Sequence, residues 1–424
     1  MALEWMGKMP GWEGIVLLGL LLFLLLIFVA PGRRPPNFPP GMPMLPVVGS
    51  LLHIRGVPLR TLLRNLKKEY GNMASFGIFG TGVVLISGLS TIKEVYTHKA
   101  SADKPPMVLN ATRNYLLSDG QAINLGLLGG NGQTWQELRR FVLRHLRDFG
   151  FGKTSCEPLI VKEVTELMDH IQQQEGQPIV MKGEVENFIS SEDCDDNHSL
   201  ASLFLKEIQS HAGEKSIFNM SEMRALVFEM FTAGMDTTSS TLTMGVYLIA
   251  KHSAVQQKVQ QELDEVVGRD RLPSYSDVDQ LPYTRATIHE AQRFFDLIAI
   301  FIRCAAEDCK FAGYDIPKGT VLLANAEEVM SDPKLWKNPH EFDPENFLNA
   351  EGKYVKNEGF FPFGIGRRVC VGESLARMQI FVFLASLFQR FTFSLVGEEV
   401  IPTNNNTFSA PVIYSAVAHL RPPL

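Results

Sequence analysis

The chain has 424 residues, 45% hydrophobic and 20% charged, with 28 phenylalanines, a composition that excludes a disordered or fibrous protein and supplies a deep apolar core. A formal net charge of −6 argues against a nucleic-acid partner, since such proteins carry a surplus of Lys and Arg to neutralise phosphates. The five scattered cysteines, with no CxxC pair, suit a reducing compartment, and the ten histidines, with no HExxH or HxH pattern, give no metal signal.

In chain order, the first element is an uncharged stretch from Gly14 to Gly32. Within it Ile15 to Ala30 is apolar but for one glycine, just long enough to span a bilayer as a helix. A cleaved signal peptide is the competing reading, but the run is long for one and lacks a small-residue cleavage site. Arg33-Arg34 follow the span while Glu4, Lys8 and Glu13 precede it, so the positive-inside tendency puts everything after residue 32 in the cytoplasm. Residues 1–32 are therefore read as a membrane anchor and residues 33–50 as a proline-rich hinge. Seven prolines between Pro31 and Pro46 should make that hinge a stiff, extended spacer. Residues 51–424 read as one large domain.

Within that domain, Pro58 to Tyr70 predicts a helix closed by Gly71, and Met73–Phe79 with Val83–Ser87 predicts a hairpin turning at Gly80-Thr81-Gly82. From Trp135 onward helical patterns dominate. They include Glu157 to Gln174, a long apolar segment from Ser221 to Ala250, and Pro282 to Phe295. Strand signals return at Val321–Ala324 and Phe391–Leu395. The fold class is mainly α with a minor β-sheet.

The segment FPFGIGRRVCVGESLARMQIFVFLASLFQRF sets Phe363, Gly366, Arg368, Cys370 and Gly372 in the pattern FxxGxRxCxG, directly before a long apolar helix. The glycines allow a tight turn and close approach to a flat ligand, Phe363 can pack on that ligand, and Arg368 can pair with a carboxylate. Cys370 precedes a helix N-terminus, where the dipole and free amides favour a thiolate. A buried structural cysteine is the bland alternative, but it would need neither the glycines nor the arginine. The segment resembles the haem-binding loop of cytochrome P-450 enzymes.

That resemblance implies a haem-thiolate fold with haem b as cofactor and Cys370 as its iron ligand. Trp135 and Arg139 (WxxxR), Arg303 and Arg368 resemble the family's propionate-binding positions. Glu290 and Arg293 resemble its ExxR pair, which locks that helix to the segment before the cysteine. Asn346 stands where the family usually has a basic or ring-bearing third partner, which leaves that contact open. Asp236 and Thr237, in AGMDTT, resemble the family's oxygen-activating acid and threonine. Of two readings of this stretch, a helix bulge that opens a proton relay and a solvent-facing patch with Thr237 bonded back to the preceding turn, the resemblance implies the first. Arg140, Arg144 and Arg147 form a basic stripe that is either solvated or a docking patch for an acidic redox partner.

The resemblance further implies a monooxygenase acting on an apolar small molecule, fed from NADPH through a reductase, with cytochrome b5 as a further partner, at the endoplasmic reticulum membrane. A haem-thiolate isomerase is the second enzyme reading, against which the acid-threonine pair counts. A haem-binding chain without turnover is the third. It arises because the interval between the WxxxR helix and the acid-threonine helix is short by about 70 residues against the family pattern, as much as several average helices. Glu157–Gln174 is followed almost at once by Glu184–Ser191, which resembles the tail of a much later helix. Several middle helices that complete the core and roof the substrate pocket are therefore expected to be missing, leaving apolar surface exposed on the acid-threonine helix. Pocket positions implied by resemblance lie near Leu109–Leu127, Phe228–Thr237, Ile298–Ile302 and Thr407–Ala410.

Overall fold

The computed structural model describes residues 19, 34–45, 47–106, 125–189, 199–211, 216–400 and 413–423. The span predicted over Ile15–Ala30, all but residue 19, lies outside them. Among the described residues no helix is long and apolar enough to cross a membrane. The chain divides into two units, the first formed by the N-terminal residues to Ser101 with Ile302–Asn325, the second by Ala102–Phe301 with Ala326–Leu424.

In the first unit a short turn of helix, α1 (Leu51–Ile54), precedes α2 (Leu59–Tyr70), which starts after Pro58 and stops at Gly71, whose φ of 86° a larger residue would resist. Leu62, Leu63 and Leu66 make its buried stripe. Strands β1 (Met73–Ile78) and β2 (Thr81–Ile86) form the predicted hairpin. Its turn sits one residue earlier than expected, at Phe79-Gly80, where φ values of 46° and 78° give the two-residue geometry that matches strand twist. Helix α3 (Leu89–Thr97) follows.

The proline segment is hydrogen-bonded to the first unit's sheet. From Phe38 on it lies along β1: Met42 donates to the Ser75 carbonyl at 2.9 Å, Ser75 to that of Pro40 at 2.7 Å, and Ser50 to that of Gly77 at 2.7 Å. The approach is so close that a Cβ on Gly41 would lie 1.8 Å from the Ser75 oxygen.

The second unit is built on helices. In chain order they are α4 (Gly126–Gly129), α5 (Gly132–Asp148), α6 (Glu157–Gln173), α7 (Met181–Ile189), α8 (Leu200–Ser210), α9 (Met220–Lys251), α10 (Ser253–Val266) and α11 (Pro282–Phe295). Two further strands belong to the first unit's sheet: β4 (Ile300–Cys304) and β7 (Val321–Asn325), with the β5 (Cys309–Phe311) and β6 (Tyr314–Ile316) hairpin between them. The sheet order is β1-β2-β7-β4, with β2 and β7 parallel from Val83↔Val321 to Ile86↔Ala324. The second unit ends with α12 (Ala326–Met330), α13 (Glu373–Arg390), β8 (Phe391–Val400) and β9 (Ile413–Leu420), the two strands pairing with β3 (Ile179–Val180) in the order β3-β9-β8.

The core of this second unit is the crossing of α9 on α13. Every residue of α13 from Met378 to Gln389 is buried, as is every residue of α9 from Thr238 to Ile249. Their closeness depends on Gly245, where a Cβ would meet Leu384 Cδ1 at 2.8 Å. The Gln256 amide of α10 acts as one more strand partner, donating to the Phe393 carbonyl at 3.0 Å and accepting from its amide at 2.8 Å.

Between α6 and α8 only β3 and α7 intervene among the described residues. Met181 and Val185 of α7 join the same apolar cluster as Leu242 and Val246 of α9, so this short helix closes the core where the sequence predicts exposure. The expected exposure is confined to the N-terminal half of α9, where Val227, Phe228 and Phe231 are 45%, 46% and 57% exposed.

Candidate active site

The cysteine loop is shaped by backbone before side chains enter. Gly364 and Gly366 adopt φ of 82° and 75°, a region costly to any residue with a Cβ. The amide of Cys370 then donates to the Phe363 carbonyl at 3.0 Å and closes the loop. Gly372 is not required for a left-handed turn. Its φ is −93°, which any residue tolerates, and a Cβ there would meet only Cys370 Sγ, at 4.0 Å. It keeps space clear beside the sulfur.

Cys370 is a free, exposed cysteine, open on one side and crowded by loop atoms on the other. That crowding pushes its thiol above the usual range. The Gly372 amide and the charge of Arg139 act in the opposite direction, and Glu373 adds to the rise. In this balance burial outweighs the Gly372 amide and the Arg139 charge.

Helix α5 brings Trp135 and Arg139 to this loop. Arg139 donates to the Val369 carbonyl at 2.6 Å, and its guanidinium carbon lies 5.8 Å from the Trp135 ring centre. The guanidinium of Arg368 stacks on the same ring at 3.6 Å. Arg368 does not present its hydrogens to open space. They go to the carbonyls of Ala102 at 2.7 Å and Leu127 at 2.9 Å, to that of Gly130, and to Asn131 Oδ1 at 3.1 Å. Arg368 thus clamps the chain around α4, while the indole N–H of Trp135 is buried with no acceptor among the described residues. Phe363 faces the α13 helix, with the Arg377 guanidinium 4.8 Å from its ring centre.

Sequence reasoning missed the other side of that clamp. Two buried carboxylates on α9 hold the amide end of α4: Glu222 accepts from Gly126 at 2.8 Å, and Glu229 from Leu127 at 2.6 Å and Leu128 at 3.1 Å. Gly126 has φ of 73°, and a Cβ on it would fall 2.3 Å from Glu229 Oε2. The run GLLGG and the acids Glu222 and Glu229 seven residues apart, on one face of α9, were the available signals.

Glu290 and Arg293 are 0% and 3% exposed and joined by two 2.7 Å contacts. Arg293 also donates to the carbonyls of Met330 at 2.6 Å, Pro339 at 2.9 Å and Glu341 at 3.1 Å. Glu290 accepts from the Asp343 amide at 3.0 Å and from Asn346 Nδ2 at 3.1 Å. The third partner left open by the sequence is therefore made by Asn346. Burial raises the Glu290 carboxyl above its usual range, against the pull of Arg293.

Asp236 is exposed and Thr237 half-buried on α9, which runs as unbroken α-helix through this stretch. No bulge interrupts it. Thr237 Oγ1 donates to the Ala233 carbonyl at 2.7 Å, the back-bonded geometry. Arg303, the remaining carboxylate-binding candidate, belongs to the first unit, where it is buried with its guanidinium 5.1 Å from the Tyr96 ring centre. Of the pocket positions, residues 109–124 and 407–410 lie outside the described residues.

A mainly helical body carrying a single-cysteine loop ahead of its most buried helix, with a tryptophan and two arginines gathered at that loop, defines a class of protein built to hold a flat, anionic group. The Cytochrome P450 family profile matches residues 39–191 and, separately, 183–415. The chain is 32% identical to Cytochrome P450 2D14 of Bos taurus, covering 93% of this chain and 95% of that protein. It is also 32% identical to Cytochrome P450 2D6 of Homo sapiens (94% and 97%) and 31% identical to Cytochrome P450 2J5 of Mus musculus (90% and 91%). The chain belongs to the cytochrome P450 family and is a monooxygenase of that family; the family implies a haem cofactor.

The residues present fit a haem. A buried indole N–H lacks an acceptor, a cation stands beside it, and the cysteine sulfur is open next to a residue with no Cβ.

Proposed function

We propose that Cys370 would hold the iron of a haem b through its sulfur and that the chain inserts one atom of O2 into an apolar organic molecule, with electrons from NADPH delivered by a reductase and, secondarily, cytochrome b5. The observation that carries this reading is the gathering of Trp135 and Arg139 at the Cys370 loop with the indole N–H unspent, as a haem carboxylate would require. When bound, the haem supplies oxygen activation, which a thiolate ligand favours. Every other contribution comes from the chain. Trp135 Nε1 and Arg139 would hold the haem carboxylate, Phe363 packs by the loop, Gly372 leaves room at Sγ, and Arg368 fixes the chain around α4.

Thr237 and Asp236 carry the proton function. The Thr237 hydroxyl, anchored on Ala233, can pass a proton from its oxygen when that hydrogen bond is exchanged, and the exposed Asp236 can take up the next one from water. The exposed apolar side chains of Val227, Phe228 and Phe231 suit an apolar substrate. Arg140, Arg144 and Arg147 are all exposed on α5, which supports a reductase docking stripe. Residues 1–32 would tether the chain to the endoplasmic reticulum membrane, with residues 33–50 leading into the body on the cytoplasmic side.

A second reading, a haem-binding chain without turnover, is favoured by two observations. The family profile matches in two pieces that meet at residues 183–191, and 93% of 424 residues enter an alignment of 480 positions, so several tens of aligned positions have no residue here. We place that deficit between α6 and α8, where the family's roof over the substrate would lie. Reductase-coupled assays separate the readings. Monooxygenation predicts product formed with NADPH consumed and a large loss of product in Thr237→Val; haem binding with no product and no NADPH consumption above that of the reductase alone supports the second.

A further inference from the structure

Between α11 and the start of α13, within the second unit, lies a recess of about 270 Å3 that the function proposed above does not use. Its floor is apolar, from Ile288, Ile380 and Phe381, and its polar rim carries three cations, Arg285, Lys356 and Arg377, against one carboxylate, Glu373. Glu373 is taken by Arg377 at 2.8 Å. Arg285 pairs with Asp279 at 2.6 Å, but that aspartate is 83% exposed, so solvent screens the pair heavily. Lys356 is exposed and makes no ion pair among the described residues.

The hydrogen bonds in the recess have a fixed direction. Arg377 Nη1 lies 3.3 Å from His289 Nε2, and a guanidinium can only donate, so Nε2 accepts. The neutral ring then carries its hydrogen on Nδ1, which donates to the Tyr354 hydroxyl oxygen at 2.7 Å. Burial and the surrounding cations keep that imidazole neutral. Tyr354 must therefore point its own O–H elsewhere, and no described residue accepts it. The Arg285 guanidinium sits 4.1 Å from the Tyr354 ring centre. With Arg377 held by Glu373, the screened Arg285, the exposed Lys356 and an unspent hydroxyl donor converge over an apolar floor, a combination that fits an anion with an apolar body.

We infer that this recess binds a small carboxylate carried on an aromatic ring, with the carboxylate accepting from Tyr354 and Lys356 beside Arg285, and the ring lying on Ile288 and Phe381. The volume suits one ring with its carboxylate, smaller than the roughly 300–1,000 Å3 of sites for drug-sized ligands. The recess adjoins the Cys370 loop without including the cysteine: its rim residue Arg377 lies 4.8 Å from the Phe363 ring centre, and α13 begins three residues after Cys370.

Calorimetric titration of the full-length, haem-loaded chain with benzoate, and with benzamide as an uncharged probe of equal size, tests this. The expected result is saturable benzoate binding at one site, benzamide binding at least tenfold weaker, and a loss of benzoate affinity of about tenfold or more in Tyr354→Phe, the effect of one hydrogen bond to a charged group. Lys356→Ala, an exposed side chain outside the core, should weaken binding several-fold and serves if Tyr354→Phe does not fold. Equal binding of the two probes, or benzoate binding that survives both substitutions, would overturn the inference.

Discussion

Arg139 donates a 2.6 Å hydrogen bond to the carbonyl of Val369, the residue before Cys370. A helix and a loop 230 positions apart in sequence are thereby held together by a half-buried cation. Arg139→Ala removes a charge-assisted bond and should lower stability by about 1.5–3 kcal/mol. Denaturant midpoints check the first effect. The fraction of chain retaining haem through gel filtration, expected to fall as well, checks the second.

The Glu290–Arg293 pair should be intolerant of single changes. Arg293→Ala leaves a buried carboxylate uncompensated and strands the Met330, Pro339 and Glu341 carbonyls, a loss of about 3–5 kcal/mol. Arg293→Lys should rescue little, because an ammonium cannot reproduce the two-toothed contact. Asn346→Ala removes one of the bonds to Glu290 and should cost about 1–3 kcal/mol. Soluble yield and urea unfolding of the three variants should rank in that order.

Two glycines of the cysteine loop should respond oppositely. Gly366→Ala forces a Cβ into left-handed backbone at φ 75° and should destabilise by about 1–2 kcal/mol. Gly372→Ala, at φ −93°, should leave the unfolding midpoint nearly unchanged but shift the haem spectrum, because its methyl would lie 4.0 Å from the sulfur.

His289 gives the fold a pH dependence of known sign. Burial first, then the charges of Arg377, Arg285 and Lys356, hold its imidazole well below the usual range. It is neutral in the fold, whereas in the unfolded chain it protonates near pH ~6.5. The unfolded state then binds more protons, so this contribution is fully present above that pH and is lost as pH falls below it. Urea midpoints at pH 7.5 and 5.5 should differ less in His289→Gln than in the parent chain.

Local patterns carried much of this molecule. The helix over Pro282–Phe295 and the loop ending at Cys370 were legible because capping, glycine placement and apolar periodicity act over a few residues. What escaped depends on contacts across long separations. Nothing local says that Arg368 will spend its hydrogens on Ala102, Leu127 and Gly130, or that Glu222 and Glu229 will hold the amides of α4. The hairpin turns at Phe79-Gly80 rather than over Gly80-Thr81-Gly82 because strand register, which pairs Gly77 with Gly82 and Ile78 with Thr81, is not set by glycine content. The short middle predicted a bare α9; α7 covers its C-terminal half, through Met181 and Val185.

The most direct test of Cys370 as haem ligand is the ferrous carbon monoxide spectrum of the full-length chain beside Cys370→Ala. The account predicts a red-shifted, thiolate-type Soret band in the parent chain and its complete loss in the variant. An unchanged band in Cys370→Ala, or a folded parent chain that binds no haem, would contradict it.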